Sequence, residues 1–177
     1  NYSFVTARLL MDTLRSEALG FLGITNAVTQ TEMHYRYAAT LKSYIKKGVE
    51  LELLSPHLLD FDLGVLGEAL KADRDQQFTY LGLQTLYDRY FIHSEGIRFE
   101  LPQVFYMRVA MGLASNEENR EQRAIEFYNL ISSFDYMVST PQLFNSGTLR
   151  PQLSSCFLTT VPDDLHGIYS AIRDNAM

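Results

Sequence analysis

The chain is 177 residues long, enough for one domain with its own core or for part of a larger one. Hydrophobic residues make up 46% and charged residues 20%, which with plentiful Tyr, Phe, Leu and Ile excludes disorder as the main state. The net charge of -6 argues against a non-specific nucleic-acid binder, and no run of about 18 apolar residues is present to span a membrane.

In chain order, Asn1-Tyr2-Ser3-Phe4 has neither a basic region nor an initiator Met, so it reads as a cut rather than a signal peptide. Residues 5–19 predict a helix, with Val5, Leu9, Leu10 and Leu14 at helical spacing and Arg8, Asp12 and Arg15 between them; Gly20 and Gly23 are its stop signals. A second helix is expected over 31–47, capped by Thr31 and ended by Gly48 behind Lys46-Lys47. Ser55-Pro56 starts another, with Pro at the first helical position, and a stretch over 65–72 follows. Residues 79–90 read as a helix with Leu83, Leu86, Tyr87 and Tyr90 on one face. Residues 91–100 place two short apolar ends around Ser94-Glu95-Gly96, the pattern of a small hairpin. Pro102 opens a helix to about Ala114, and 119–134 forms the last long one, with Ile125, Tyr128, Leu130 and Ile131 inward. The stretch 139–155 is polar, with two prolines and one glycine, and is expected not to form a regular helix. Residues 156–161 are rich in β-formers and predict a short buried strand. Pro162-Asp163-Asp164-Leu165 then reads as a helix start with carboxylates at its positive end, the helix running to Met177 without a cap.

Titratable residues give little chemistry on their own. His34, His57, His93 and His166 form no pair at a metal-ligand spacing, and Asp60, Asp62, Asp73 and Asp75 read as solvated or capping groups. No Gly-rich phosphate loop is present. The lone Cys156 excludes a disulfide framework or zinc ribbon within the chain, and by composition reads as a small buried hydrophobe. Its surroundings offer a second reading. A loop of Thr, Ser, Asn and Gly leads into Ser154-Ser155-Cys156, and the acidic helix start follows seven residues after the thiol. Hydroxyls and backbone N–H groups suit phosphate oxygens, a thiol suits redox chemistry, and an Asp suits a sugar hydroxyl. A capped loop around an inert Cys accounts for the same residues, and spacing leaves both readings open.

The string Ser139-Thr140-Pro141 … Asn145-Ser146-Gly147-Thr148 … Arg150-Pro151-Gln152-Leu153-Ser154-Ser155-Cys156-Phe157-Leu158 resembles the motif before the first barrel strand of the class I ribonucleotide reductase large subunits. Asp163-Asp164-Leu165-His166-Gly167-Ile168 resembles that family's effector-site entrance, while Asn1-Tyr2-Ser3-Phe4-Val5-Thr6-Ala7-Arg8 and Asp73-Arg74-Asp75-Gln76-Gln77-Phe78-Thr79-Tyr80 resemble its helical N-terminal domain. The Ser-Ser-Cys stretch is the specific part. The resemblance implies a mainly α fold: a helical N-terminal domain over 1–138, then over 139–177 the start of a ten-stranded α/β barrel.

It also implies roles. Cys156 is one of two thiols that deliver the reducing electrons and become a disulfide. Thr140 and Ser155 touch the substrate ribonucleoside diphosphate. Asp163, Asp164 and Leu165 help hold a deoxynucleoside triphosphate effector, the ribose contact falling on Asp163 first, and the last helix joins a homodimer contact. Metal ligands are not expected in this chain, because the family's radical comes from the metal centre of a separate small subunit. Thioredoxin or glutaredoxin is the reductant, ATP is a further effector, and the implied location is cytoplasmic. The partner thiol, the radical Cys and the catalytic Asn and Glu lie after Met177, and any ATP cone before Asn1, so the chain alone is expected to be inactive. Two rivals use other features: a non-catalytic helical interaction module with a buried Cys156, and a thiol hydrolase with Cys156 as nucleophile and His166 as base.

Overall fold

The computed structural model describes residues 2–24 and 28–176, and these are mainly helical. The elements are α1 (Tyr2–Phe21), α2 (Met33–Glu50), α3 (Leu63–Glu68), α4 (Tyr80–Arg89), β1 (His93–Ser94), β2 (Ile97–Arg98), α5 (Pro102–Ala114), α6 (Arg120–Ser132), α7 (Thr140–Asn145) and α8 (Leu165–Ala176). Single 3₁₀ turns occupy Pro56–Asp60 and Ala72–Gln77. Asn1 and Met177, named in the expectations for the two ends, lie outside the described residues.

The sequence from Phe99 to Met111 is apolar apart from Glu100, Gln103 and Arg108, and every residue of it is buried. A helix of that kind has to be central. Accordingly α5 packs along α6, with α2 and the second 3₁₀ turn against its other sides, while α1 pairs with α4 and α2 with α3. Local chemistry sets the starts. Asp62 Oδ1 accepts from the N–H groups of Gly64 and Val65 at 3.0 and 3.1 Å, and the Thr79 hydroxyl accepts from Gly82 N–H at 3.3 Å. Pro56 and Pro102 each open a turn where no N–H is needed. The hairpin forms as expected, His93 opposite Arg98, with Glu95 and Gly96 both at positive φ in the connecting turn.

Several expectations are corrected. In α1 the buried stripe is Ala7, Met11, Leu14, Arg15, Ala18 and Leu19, whereas Val5 and Leu9 are exposed. The reason is Arg15: its guanidinium is taken inside and met by Asp12 and by Gln30 Oε1 at 2.5 Å, so the apparent polar separator belongs to the core. In α2 the helix begins after Glu32, whose carboxylate holds the N–H and hydroxyl of Thr29, and Thr31 is not the cap. Gly48 is not the stop but lies inside the helix, where Leu54 packs so closely that a Cβ would come within 2.4 Å of its Cδ1. Leu130 is exposed on α6, the inward face being Ala124, Tyr128 and Ile131. The 139–155 stretch does contain a helix, α7, because Pro141 falls in its first turn, where it is tolerated, and Gln142 Oε1 accepts from the Ser139 N–H at 2.9 Å. Residues 156–161 form no strand and are exposed: β-formers give a strand only when a ladder partner is present, and none pairs with them among the described residues.

Candidate functional site

Upstream of Cys156, the chain is anchored by a buried ion pair. Glu100 and Arg108 are both fully buried, with Arg108 Nε 2.7 Å from Glu100 Oε1. The other lone pairs of Glu100 are used by the Tyr44 hydroxyl at 2.6 Å and the Ile92 N–H at 2.9 Å. Arg108 Nη2 also donates to Glu100 Oε2 at 3.2 Å, and the guanidinium reaches two backbone carbonyls, Nη1 to Ser146 O at 2.6 Å and Nη2 to Leu143 O at 3.2 Å. Burial is the largest single influence on the guanidinium and pushes its pKa down, but Glu100 and Tyr44 together, through charge and hydrogen bonds, outweigh it and the net shift is upward. Burial, then Glu100, holds the Tyr44 phenol well above its usual value, so it stays a donor. A buried charge is tolerable only with such full pairing, and here it fixes where α7 ends.

From that anchor the loop is pinned step by step. The Ser146 hydroxyl donates to Val109 O at 2.7 Å, and Gly147, at φ 76°, passes so near α5 that a Cβ on Gly112 would lie 2.2 Å from Gly147 N. Ser55 N–H donates to Gly147 O at 3.0 Å and Leu149 N–H to Leu53 O at 3.2 Å, with Thr148 bridged to Leu54. Asn145 Nδ2 reaches forward to Gln152 O at 2.7 Å. Beyond Leu153 the chain leaves the helical body, and residues 154–166 are all exposed.

The residues singled out from sequence therefore fall in two settings. Thr140 is held on the body at the first turn of α7, its hydroxyl 3.4 Å from that of Tyr90, in the wall of a groove of about 700 Å³ lined also by Phe78, Tyr106, Phe134 and Met137. Ser155 and Cys156 are on the exposed stretch, Ser155 Oγ 3.7 Å from Cys156 Sγ. Cys156 is a free, exposed thiol, which corrects the reading of a buried hydrophobe. Asp163, Asp164 and Leu165 come together at the start of α8. There Asp164 Oδ1 accepts from Gly167 N–H at 2.8 Å and so caps the helix, while Asp163 is exposed. Among the described residues no hydrogen bond joins Thr140 to Ser155 or Cys156, or His166 to Cys156. Nor do three or more His, Cys, Asp or Glu side chains converge there as a metal site. No helix of the described residues is long and apolar enough to cross a membrane.

A second buried network was not expected. Asp75, read as solvated or capping, is 5% exposed and accepts from the Tyr37 hydroxyl at 2.6 Å and Gln103 Nε2 at 2.8 Å. Tyr128 donates to Gln103 Oε1 at 2.7 Å and accepts from Lys71 N–H at 2.8 Å. Burial raises the Asp75 carboxyl from 3.8 to about 6, against the lowering effect of these hydrogen bonds. The signal available in the sequence was the trio Glu100, Gln103 and Arg108 inside an otherwise apolar run, since polar residues at such positions must find buried partners.

Residues 76–151 match the family model for the ribonucleotide reductase all-alpha domain. Over its whole length the chain is 49% identical to the ribonucleoside-diphosphate reductase subunit alpha of Chlamydia trachomatis, spanning 16% of that protein. It is 38% identical to the subunit alpha of Helicobacter pylori and 34% to the large subunit of Danio rerio, spanning 21% of each. The chain thus covers about a fifth or less of the relatives' own length, and it belongs, as a segment containing the all-alpha domain, to the family of ribonucleoside-diphosphate reductase large (alpha) subunits.

Proposed function

We propose that this chain is the part of a ribonucleoside-diphosphate reductase large subunit that carries one reducing thiol, part of the substrate loop and the entrance of the effector site. Residues 1–138 are its helical domain and 139–177 the beginning of the catalytic barrel. The whole enzyme replaces the 2′-OH of a ribonucleoside diphosphate with hydrogen and so supplies DNA precursors. Hydroxide is a poor leaving group, so the C2′–O bond breaks as a proton arrives, and water departs. Cys156 and a partner thiol elsewhere in the protein give the two electrons and two protons and become a disulfide, which thioredoxin or glutaredoxin reduces again. The radical that starts the reaction comes from the metal centre of a separate small subunit.

In this reading Thr140 and Ser155 bind the substrate through their hydroxyls. Asp163 meets the ribose of a deoxynucleoside triphosphate effector, with Asp164 and Leu165 beside it, and α8 contributes to a homodimer. The observation that supports it is the combination of family membership with an exposed thiol immediately after a loop pinned to the helical core.

The test uses the full-length parent protein with its small subunit, a thioredoxin-type reductant and a ribonucleoside diphosphate. Wild type is expected to turn over repeatedly and Cys156→Ser to lose multiple turnover while keeping its fold. Equal turnover in both would move the thiol role elsewhere. No turnover in either, with an active small subunit present, would favour the interaction module.

A further inference from the structure

We propose that Tyr90 is a positioning residue for substrate binding, acting through Thr140. The inference rests on the reading of Thr140 as a substrate contact. Tyr90 follows the last turn of α4, where its N–H donates to Leu86 O at 2.9 Å, and its side chain reaches across to α7. It touches α7 twice along one face: the hydroxyl is 3.4 Å from Thr140 Oγ1, and the ring packs on Phe144, centroids 4.7 Å apart at 34°. Thr140 and Phe144 are four residues apart, the spacing that puts two side chains one above the other on a helix.

The direction of the hydroxyl contact follows from the ligand's chemistry. Phosphate and sugar oxygens accept hydrogen bonds, so a Thr that binds them directs its own O–H outward. The phenol of Tyr90 then donates to Thr140 Oγ1, which removes the competing inward orientation and polarises the outgoing O–H. Rotation of Thr140 is restricted before substrate arrives, and less ordering is left for the binding step. The Phe144 contact fixes the Tyr90 ring, and the carbonyl of Phe144 is itself 3.5 Å from Arg108 Nη1, so the pair is tied to the buried anchor.

The experiment compares wild type, Tyr90→Phe, Thr140→Val and the double variant in the full-length protein with its small subunit and reductant, measuring KM and kcat for the ribonucleoside diphosphate and thermal stability. Tyr90→Phe keeps the ring and its packing and removes only the hydroxyl. The expected result is a KM raised about three- to tenfold in Tyr90→Phe, kcat and Tm nearly unchanged, and no further rise when Tyr90→Phe is added to Thr140→Val. A silent Thr140→Val would overturn the substrate role of Thr140 and with it this proposal. A raised KM in Thr140→Val with a silent Tyr90→Phe, or with additive effects in the double variant, would overturn the role of Tyr90 alone. Should Tyr90→Phe unfold the protein, Phe144→Leu, which loosens the Tyr90 ring and leaves both hydroxyls, is expected to give a smaller rise in KM; no rise would overturn the proposal.

Discussion

Two buried acids do different work in this molecule because of their partners. Glu100 faces Arg108, Tyr44 and a backbone N–H, all donors, in a buried ion pair. Removing Arg108 leaves that charge buried without its counterion and frees the carbonyls of Leu143 and Ser146. Arg108→Met is therefore expected to cost about 3–5 kcal/mol in urea denaturation, and Glu100→Gln with Arg108→Met together less than Arg108→Met alone. Asp75 faces neutral donors, with Arg15 as the nearby cation, and its folded-state value of about 6 lies above the ordinary 3.8. A group raised in this way contributes stability below its unfolded value and loses it as pH rises through the folded one. Unfolding free energy is thus expected to fall between about pH 4 and 6, by on the order of 2–3 kcal/mol from this group. The difference between wild type and Asp75→Asn across that window isolates it, and a flat difference would refute the assignment.

Among elements, the α5–α7 junction depends on backbone contact. Gly112 and Gly147 let the loop pass directly over α5, and an added methyl at 112 meets Gly147 N and Ser146 Oγ, neither of which has room to yield. Gly112→Ala is expected to destabilise by about 2 kcal/mol or more in chemical denaturation, although alanine is the better helix former. At the start of α8 the two adjacent acids separate by geometry. Asp164 caps the helix, so Asp164→Ala is expected to remove about 1 kcal/mol of helix stability, seen as lower helicity by NMR. Asp163 has no capping duty, so Asp163→Ala is expected to leave helicity unchanged and to weaken effector binding in the full-length protein, measured by calorimetry.

On the scale of the whole molecule, stability is graded from α5 outward. Residues 99–111 are buried without a break, whereas 154–166 are exposed throughout. Amide exchange is accordingly expected to be slowest in α5 and fastest over 154–164, with nucleotide slowing the latter in the full-length protein. The positions of most helices, the hairpin, the Pro102 start of α5 and the Ser-Ser-Cys motif were legible in the sequence, because prolines, turn residues and apolar periodicity act locally; that α5 is the central helix was not read from it. The inside face of α1, the burial of Asp75, the capped α7 and the exposure of Cys156 were not. Each depends on a partner far along the chain: Gln30 for Arg15, Gln103 for Asp75, Arg108 for the carbonyls at the end of α7, and a ladder partner that residues 156–161 lack among the described residues. The sequence by itself determined most of the helical segments, α7 excepted, and where the hydroxyl, carboxylate and thiol groups stand along the chain. Only the tertiary structure decided which polar groups are desolvated and where the loop before Cys156 is held, since burial and hydrogen-bond pairing are properties of contacts between distant segments.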